Sequence, residues 1–258
     1  MPINRTLWKA PFRKGKIPTW PCPRCQTGFL RLQDGTFKYS ELATSTRPIN
    51  PEDWDPIYET YTYSAMLECA NESCKEHVSS CGQGEVIEDY YPGENGDIDT
   101  EYYDLFTPEY FYPPLAVFNI PRACPDPVAE EIRLSFRLFF CDPASSANHI
   151  RKSVENILTD KDIKRFQGSK GKRIIISLHQ RIKLYEAKDK DIAERLFAIK
   201  WLGNVGSHAG ELTKDDVLDA YEILETVLDD LYIGHGKSVK KKVALVNKRK
   251  GPLKKRNE

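Results

Sequence analysis

Two short cysteine pairs do most to limit how this chain can fold. Cys22 and Cys25 enclose Pro-Arg, and Cys69 and Cys74 follow after 43 intervening residues. Runs of alternating apolar and polar residues flank both pairs, and this alternation predicts strands. Zn²⁺ takes four soft ligands in a tetrahedron, and each close pair brings two thiolates together. The pattern therefore predicts a small β zinc ribbon with Cys22, Cys25, Cys69 and Cys74 as metal ligands.

Two other side chains near the second pair also carry ligand atoms. Cys81 follows Cys74 by seven residues and is an alternative to it, and His77 is a weaker alternative. Four unrelated buried cysteines are the remaining interpretation, although the pair spacing favours metal. Because four thiolates leave no coordination position for water, the Zn²⁺ ion is expected to be structural.

Charge is distributed unevenly, although 38 basic and 38 acidic residues balance over the 258 residues. Nine basic and two acidic residues give +7 over residues 1–49, whereas two and nineteen give −17 over 50–131. Residues 132–236 are nearly neutral, and ten basic residues against one acidic residue give +9 over 237–258. This asymmetry favours attraction between the parts or a separate partner for each.

The sequence carries no sign of a membrane or a secretory protein. It has no run of 18 apolar residues, and its start, MPINRTLWKAPFRKGK, lacks an apolar signal core. Seven cysteines in such a chain favour metal binding over disulfides. We therefore expect a cytoplasmic protein without membrane contact.

The first predicted domain, residues 1–90, is the zinc ribbon with a basic N-terminal arm. Trp8, Phe12 and Trp20 are interleaved with basic residues, which is compatible with a nucleic-acid contact. We favour instead an arm whose aromatic rings pack on the domain. Within the ribbon, Asp34-Gly35 is predicted to be the turn of a hairpin.

Residues 91–124 are predicted to be an acidic aromatic linker. Tyr and Phe alternate with acidic residues, as in a half-buried extended chain, and several prolines exclude a long helix. A linker that lies over the helical domain is favoured. A partner-binding strip, or a mimic of nucleic acid, is the alternative.

Apolar residues recur at helical spacing over residues 125–233 and predict five helices in an antiparallel up-and-down bundle. The predicted helices begin near Asp126, Ser145, Ile174, Asp191 and Thr213. Thr213 is expected to cap the fifth helix, and the segment FQGSKGK before the third is expected to be a loop. Residues 234–258 are predicted to be a disordered basic tail that binds nucleic acid, remains solvated or docks on the acidic middle.

The segment AIKWLGNVGSHAG, residues 198–210, carries three glycines between helical sequences. Glycine in a helix costs about 1 kcal/mol relative to alanine, so three need a reason such as close helix packing or a binding surface. If the backbone stays helical, Asn204 and His208 share one face.

The helical half resembles the bacterial domain of unknown function family 4145. The resemblance covers roughly residues 119–232 and is carried by NIPRACPDPVAEEI, NHIRKSVENIL, LHQRIKLY, IKWLGNVGSHAG and LTKDDVLDAYEILETVLDDLY. Family members often carry an N-terminal zinc ribbon. The family is placed among the HEPN-like helical bundles, which include metal-independent endoribonucleases, many in phage defence, and inactive members that serve as binding or dimerisation modules.

Cleaving RNA without metal needs a base, an acid and positive charge against the phosphorane, and histidine suits the first two tasks. Active HEPN nucleases carry the motif R-N-x-x-x-H, and two copies meet across a dimer. The aligned string here keeps Asn204 and His208, but Gly203 stands at the arginine position. Arg151 and Lys200 are the candidate replacements for the missing charge.

Two interpretations of this motif remain open. In the first, Asn204, His208 and a nearby cation form a degenerate ribonuclease site at a dimer interface. In the second, Asn204 and His208 form a polar brace whose hydrogen bonds fix the helix ends, while the glycines allow close packing. The brace is favoured, because a motif without its arginine is weak.

We therefore expect an α+β protein with a zinc ribbon and a five-helix HEPN-like bundle. Its expected function is that of a nucleic-acid-associated or protein-binding module, in a bacterial defence or restriction context that the resemblance implies. It is expected to dimerise through the bundle, and its basic termini to contact RNA or DNA. The alternative is a metal-independent endoribonuclease.

Overall fold

The computed structural model describes residues 3–43, 45, 51–92, 97–169, 172–205 and 212–250. The chain divides into two compact units, each made of two segments. The first unit contains Met1–Val117 and Arg133–Ser146, and the second contains Phe118–Ile132 and Ala147–Glu258. The expected mixed α+β class is confirmed, whereas the HEPN-like arrangement of the helices stays a prediction.

A five-stranded antiparallel sheet forms most of the first unit. Its strands are β1 (Leu30–Leu32), β2 (Lys38–Glu41), β3 (Thr60–Cys69), β4 (His77–Pro92) and β5 (Ile98–Tyr112). The order is β1-β3-β4-β5, and β2 also pairs with β3. Along β3 and most of β4, buried and more exposed residues alternate, which is the pattern of a sheet with one face in the core.

The turn predicted at Asp34-Gly35 exists, but the two flanking strands do not form a hairpin with each other. Both pair with β3, since Leu30 lies opposite Cys69 and Lys38 lies opposite Ser64. Gly35 has a φ of +72°, which glycine adopts at little cost. The turn therefore interrupts one edge of the sheet, because β3 is long enough to pair with both segments in succession.

The linker predicted for residues 91–124 needs a correction, because its middle part, Ile98–Tyr112, is strand β5. This strand pairs with β4 from Pro92 opposite Ile98 to Ser79 opposite Tyr112. Sequence alternation indicated an extended chain but could not show its hydrogen-bonding partner. Pro108 is tolerated because β5 lies at the sheet edge and the register shifts beside it, between Cys81 and Gly82.

The aromatic residues of the N-terminal arm lie in the core of the first unit, as the packing interpretation predicted. Trp8, Phe12 and Trp20 are all buried, and Trp8 belongs to the short helix α1 (Arg5–Lys9). The indole N–H of Trp20 donates to the carbonyl oxygen of Leu7 at 3.0 Å. The Phe12 ring lies 5.6 Å from the rings of both Trp20 and Tyr63. These rings are therefore not available for stacking on nucleic acid.

Helices dominate the rest of the described chain. They are α2 (Asp126–Leu138), α3 (Pro143–Asp160), α4 (Leu178–Glu186), α5 (Lys190–Val205), α6 (Lys214–Leu228), a π-helix (Asp229–Ile233) and α7 (His235–Arg249). In the second unit, α5 packs against both α4 and α6. The fully buried side chains of the second unit include Ile132, Ile150, Ile157, Leu158, Ile182 and Tyr221. None of the helices in the described ranges has the length and apolar character needed to cross a bilayer.

Two predicted boundaries in the helical half differ from the structure. The expected loop FQGSKGK lies in a hairpin of β6 (Phe166–Ser169) and β7 (Lys172–Ile175). The third helix consequently starts at Leu178 rather than near Ile174, where Ser177 forms a capping box with Gln180. Consecutive isoleucines favour a strand, and a serine cap favours a helix start just after them.

The tail predicted to be disordered forms helix α7 over His235–Arg249. Gly234, with a φ of +70°, separates α7 from the preceding π-helix. No glycine or proline interrupts residues 237–249, so abundant lysine does not prevent a helix there. Residues 242–250 all expose their side chains, so α7 presents its charge to solvent in this part.

Candidate metal centre and helix-end site

Two turns of similar construction carry the four predicted metal ligands in the first unit. In the first turn, the N–H of Cys22 donates to the carbonyl of Gly28 at 2.9 Å. In the second, the N–H of Cys69 donates to the carbonyl of Glu76 at 2.8 Å. The residue after the second cysteine has a positive φ in both turns, 56° at Gln26 and 51° at Lys75.

The pairing of β1 with β3 brings the two turns together. The four thiol sulfurs all lie within 4.8 Å of one another. The Sγ atoms of Cys22 and Cys74 are 3.8 Å apart, and those of Cys25 and Cys69 are 3.7 Å apart. A tetrahedral zinc ion with Zn–S bonds of about 2.3 Å holds its sulfurs about 3.8 Å apart. The sulfur positions therefore fit a metal such as zinc.

The alternative ligands are not part of this group. The cluster found among the described residues contains Cys22, Cys25, Cys69 and Cys74 and includes neither Cys81 nor His77. Cys81 lies within β4 and is exposed, and His77 is the first residue of that strand. The structure thus brings together the four residues that the pair spacing predicted.

Backbone donors and burial act on the thiols in opposite directions. The N–H groups of Gly28 and Thr27 lower the pKa of the Cys25 thiol to about 5. Burial raises the pKa of Cys69 to about 12 and also raises that of Cys22. Four close thiols with this spread of acidity need a cation to hold them all as thiolates.

Sequence reasoning missed two residues that support the sulfurs. The N–H of Gly28 donates to the Sγ of Cys25 at 3.3 Å, and that of Asn71 donates to the Sγ of Cys69 at 3.4 Å. A Cβ atom on Gly28 would lie 2.7 Å from the Cys69 sulfur. The signal available was spacing, because Gly28 follows Cys25 by three residues and Asn71 follows Cys69 by two.

The helix end that carries the degenerate motif lies in the second unit. Helix α5 includes the backbone of Gly203 and Asn204, whereas His208 and the side chain of Asn204 lie outside the described residues. A Cβ atom on Gly203 would lie 3.4 Å from the Cβ of Arg151 and 3.5 Å from the carbonyl oxygen of Ala147. Gly203 therefore allows α5 to approach α3 closely at this point.

The two candidate cations have different surroundings. The Arg151 guanidinium lies 3.8 Å from the Glu155 carboxylate, and its buried Nε has no hydrogen-bond partner among the described residues. The Lys200 ammonium lies 3.6 Å from the centre of the Trp201 ring, in a cation–π contact. Of the two, Arg151 is the one whose stem packs beside Gly203.

The chain thus joins a cysteine-clamped sheet to a helical half, and comparison with known families divides it in a similar way. Residues 134–251 match the family described as Domain of unknown function (DUF4145). Residues 10–111 match the family described as Domain of unknown function (DUF8608). The first match agrees with the resemblance seen in the sequence and extends it across α7. No curated protein and no solved structure matches the chain.

Proposed function

We propose that this protein is a nucleic-acid-associated module whose first unit is clamped by a structural Zn²⁺ ion. The exposed basic part of helix α7, from Lys242 onward, is the observation that carries the nucleic-acid part of the proposal. Its exposed C-terminal end includes Lys242, Lys248, Arg249 and Lys250. Lysine and arginine on an unobstructed helix attract phosphate regardless of base sequence.

The hairpin of β6 and β7 adds a second basic surface to the same unit. Lys164, Arg165 and Arg173 are all exposed, and the guanidinium of Arg173 lies 3.7 Å from the centre of the Phe166 ring. Nucleic acid is favoured over an acidic protein as partner, because the charged positions are spread over two elements, as backbone tracking requires. Dimerisation through the helical bundle remains part of the proposal and rests on the family resemblance.

Binding of RNA and DNA at graded salt concentration tests this proposal. Fluorescence anisotropy should show affinity that falls steeply between about 50 and 200 mM salt. Reversing two charges in Lys248→Glu/Arg249→Glu should weaken binding at least tenfold. It should also make the dependence of log affinity on log salt concentration less steep, by the amount expected for the loss of about two phosphate contacts. The double variant Lys152→Glu/Lys183→Glu changes two exposed lysines on α3 and α4 and is the matched control. Equal losses in both variants, or no binding at low salt, would contradict the proposal.

A metal-independent endoribonuclease is the second candidate. The packing around Gly203 supports it, because another arginine lies beside the position where the motif lacks its own. The Cδ atom of Arg151 lies 3.8 Å from the position of a Cβ on Gly203. The Arg151 side chain thus lies beside the position at which the motif carries its arginine. In this proposal Arg151 supplies the positive charge, and His208, oriented by Asn204, serves as the base and the acid.

Incubation with mixed RNA, in the presence of a chelator that removes free divalent ions, tests the second candidate. Cleavage should fall by at least a hundredfold in His208→Ala and in Arg151→Gln, since each removes a transition-state contribution. Lys200→Gln should cleave like the wild type, because Lys200 contacts Trp201. Intact RNA with the wild-type protein, or cleavage that survives in His208→Ala, would favour the polar brace.

A further inference from the structure

The outer face of the sheet in the first unit carries a pocket that neither the metal centre nor the basic surfaces use. Its volume is about 550 Å³, and its lining comes from β3, β4, β5, Thr36 and Arg137 of α2. We call it the outer-face pocket. Its size falls within the range of small-molecule sites.

Strand register explains why a depression forms here. Ser64, Cys81 and Tyr110 lie side by side across β3, β4 and β5, and Met66, Ser79 and Tyr112 form the next such row. Neighbouring side chains in a row are about 5 Å apart. Small side chains in the middle of both rows and tyrosines at one side leave an open trough.

The packing of Phe111 holds the two flanking tyrosines of β5, Tyr110 and Tyr112, in position. Tyr110 and Tyr112 are 52% and 72% exposed, whereas Phe111 between them points into the core. The Phe111 ring lies 4.9 Å from the Trp20 ring and 4.8 Å from the Phe140 ring. Because alternate residues of a strand face opposite sides, this anchoring holds both phenols on the outer face.

The pocket has one cation at its rim. Arg137 is exposed and has no ion pair with any carboxylate in the described part of the chain. Glu109 is an acidic group close enough to act on the pocket, because burial and then the Glu109 charge raise the pKa of the Cys81 thiol. Glu109 accepts a hydrogen bond from the side-chain amide of Gln83 at 2.8 Å. The guanidinium is thus left free for a ligand.

We propose that the outer-face pocket binds a planar aromatic group that carries a single anionic group, a carboxylate or a phosphate. The ring lies against Tyr110 and Tyr112, and the anion pairs with Arg137. The Ser64 hydroxyl lines the opposite side and is available to polar atoms of the ring, whereas the Thr36 hydroxyl is already hydrogen-bonded to the backbone of Gln33 and Met66. Glu109 disfavours a highly charged ligand, so a single phosphate or carboxylate fits the pocket best.

Two sources share this chemistry, a nucleotide and a free aromatic acid, and calorimetric titration of the zinc-loaded full chain distinguishes them. The probes are a nucleoside 5′-monophosphate and indole-3-acetate, each with its neutral counterpart, the nucleoside and indole-3-acetamide. At least one anion should bind at least tenfold more tightly than its neutral counterpart. Selective binding of the nucleoside monophosphate assigns the site to a nucleotide, and selective binding of the carboxylate assigns it to a small aromatic acid.

Three variants and one labelling measurement check the assignment. Arg137→Gln should remove the preference for the anion, and Tyr112→Ala should weaken the anion and its neutral counterpart alike. Arg133→Gln, one turn earlier on α2 and also exposed, is the matched control and should bind like the wild type. Bound ligand should also slow alkylation of Cys81, followed on the Cys81 peptide by mass spectrometry. Equal binding of anions and neutral probes, no binding of any probe, or unchanged alkylation would overturn the proposal.

Discussion

Gly28 lies where the two cysteine turns approach each other, because any side chain there meets the Cys69 sulfur. We expect Gly28→Ala to weaken zinc affinity about tenfold or more, as changes next to metal ligands commonly do. Competition for zinc with a colorimetric chelator, read at equilibrium, measures this. Gly15→Ala is the control, since a Cβ there meets nothing within 4 Å. Equal zinc affinities of the two variants would show that the turn relaxes around the new methyl group.

Spacing made the cysteine ligands predictable, but it does not reveal every residue that matters. Arg181 is nearly fully buried, and its guanidinium donates to the carbonyls of Glu155 and Ile163 and to the hydroxyl of Thr159. Burial lowers the pKa of Arg181. No sequence motif points to this residue, because its acceptors are mostly backbone atoms whose positions depend on the tertiary fold.

At the scale of single elements, the start of α6 was predicted down to its cap. Thr213 accepts a hydrogen bond from the N–H of Asp216, and the Asp216 carboxylate accepts from the N–H and hydroxyl of Thr213 at 2.8 and 2.6 Å. Capping uses residues adjacent in sequence, so local chemistry suffices to predict it. Strands β5 and β1 show the opposite case, because their partners lie far away along the chain.

The α6 cap should make stability depend on pH in a defined window. Hydrogen bonds from Thr213 lower the pKa of Asp216 in the folded state. The contribution of the ionised carboxylate is therefore fully present above the unfolded pKa, about 4, and is lost as pH falls through the lower folded value. Asp216→Asn should be less stable than the wild type at pH 7, by no more than about 1 kcal/mol.

Urea denaturation at several pH values measures this difference. The gap between wild type and Asp216→Asn should shrink below about pH 4. Thr213→Ala, which removes the same cap from the other side, should show a similar loss at pH 7. A gap that is constant from pH 7 to pH 3 would mean that the carboxylate contributes nothing as a charge.

At the scale of the whole molecule, the four clustered cysteines that fit a zinc ion come from segments that are distant in sequence. Metal removal should therefore loosen the first unit, because the thiolates would no longer hold the two turns and β1 together. After treatment with a strong zinc chelator, limited proteolysis should cut within residues 10–111. Residues 147–205 and 212–232 should remain protected. Readdition of one equivalent of zinc should restore protection.

Magnesium, which avoids thiolate ligands, is the control for that readdition. An unchanged cleavage pattern after complete zinc removal would show that the sheet holds its fold without the ion. The mixed class and the clustering of the four cysteines were predictable from local pattern, whereas the division into units was not. That division depends on which aromatic rings pack together. Phe139 and Phe140 pack against Trp8, which is far away along the chain, so local sequence could not reveal the contact.

The membership of Arg133–Ser146 in the first unit limits how such a protein can be shuffled by recombination. Trp8 lies 6.4 and 6.2 Å from the ring centres of Phe139 and Phe140. A gene crossover anywhere between the two matched regions, residues 10–111 and 134–251, would separate Trp8 from Phe139 and Phe140. A new host chain must then supply equivalent rings, so inheritance of the two regions together is favoured over free exchange.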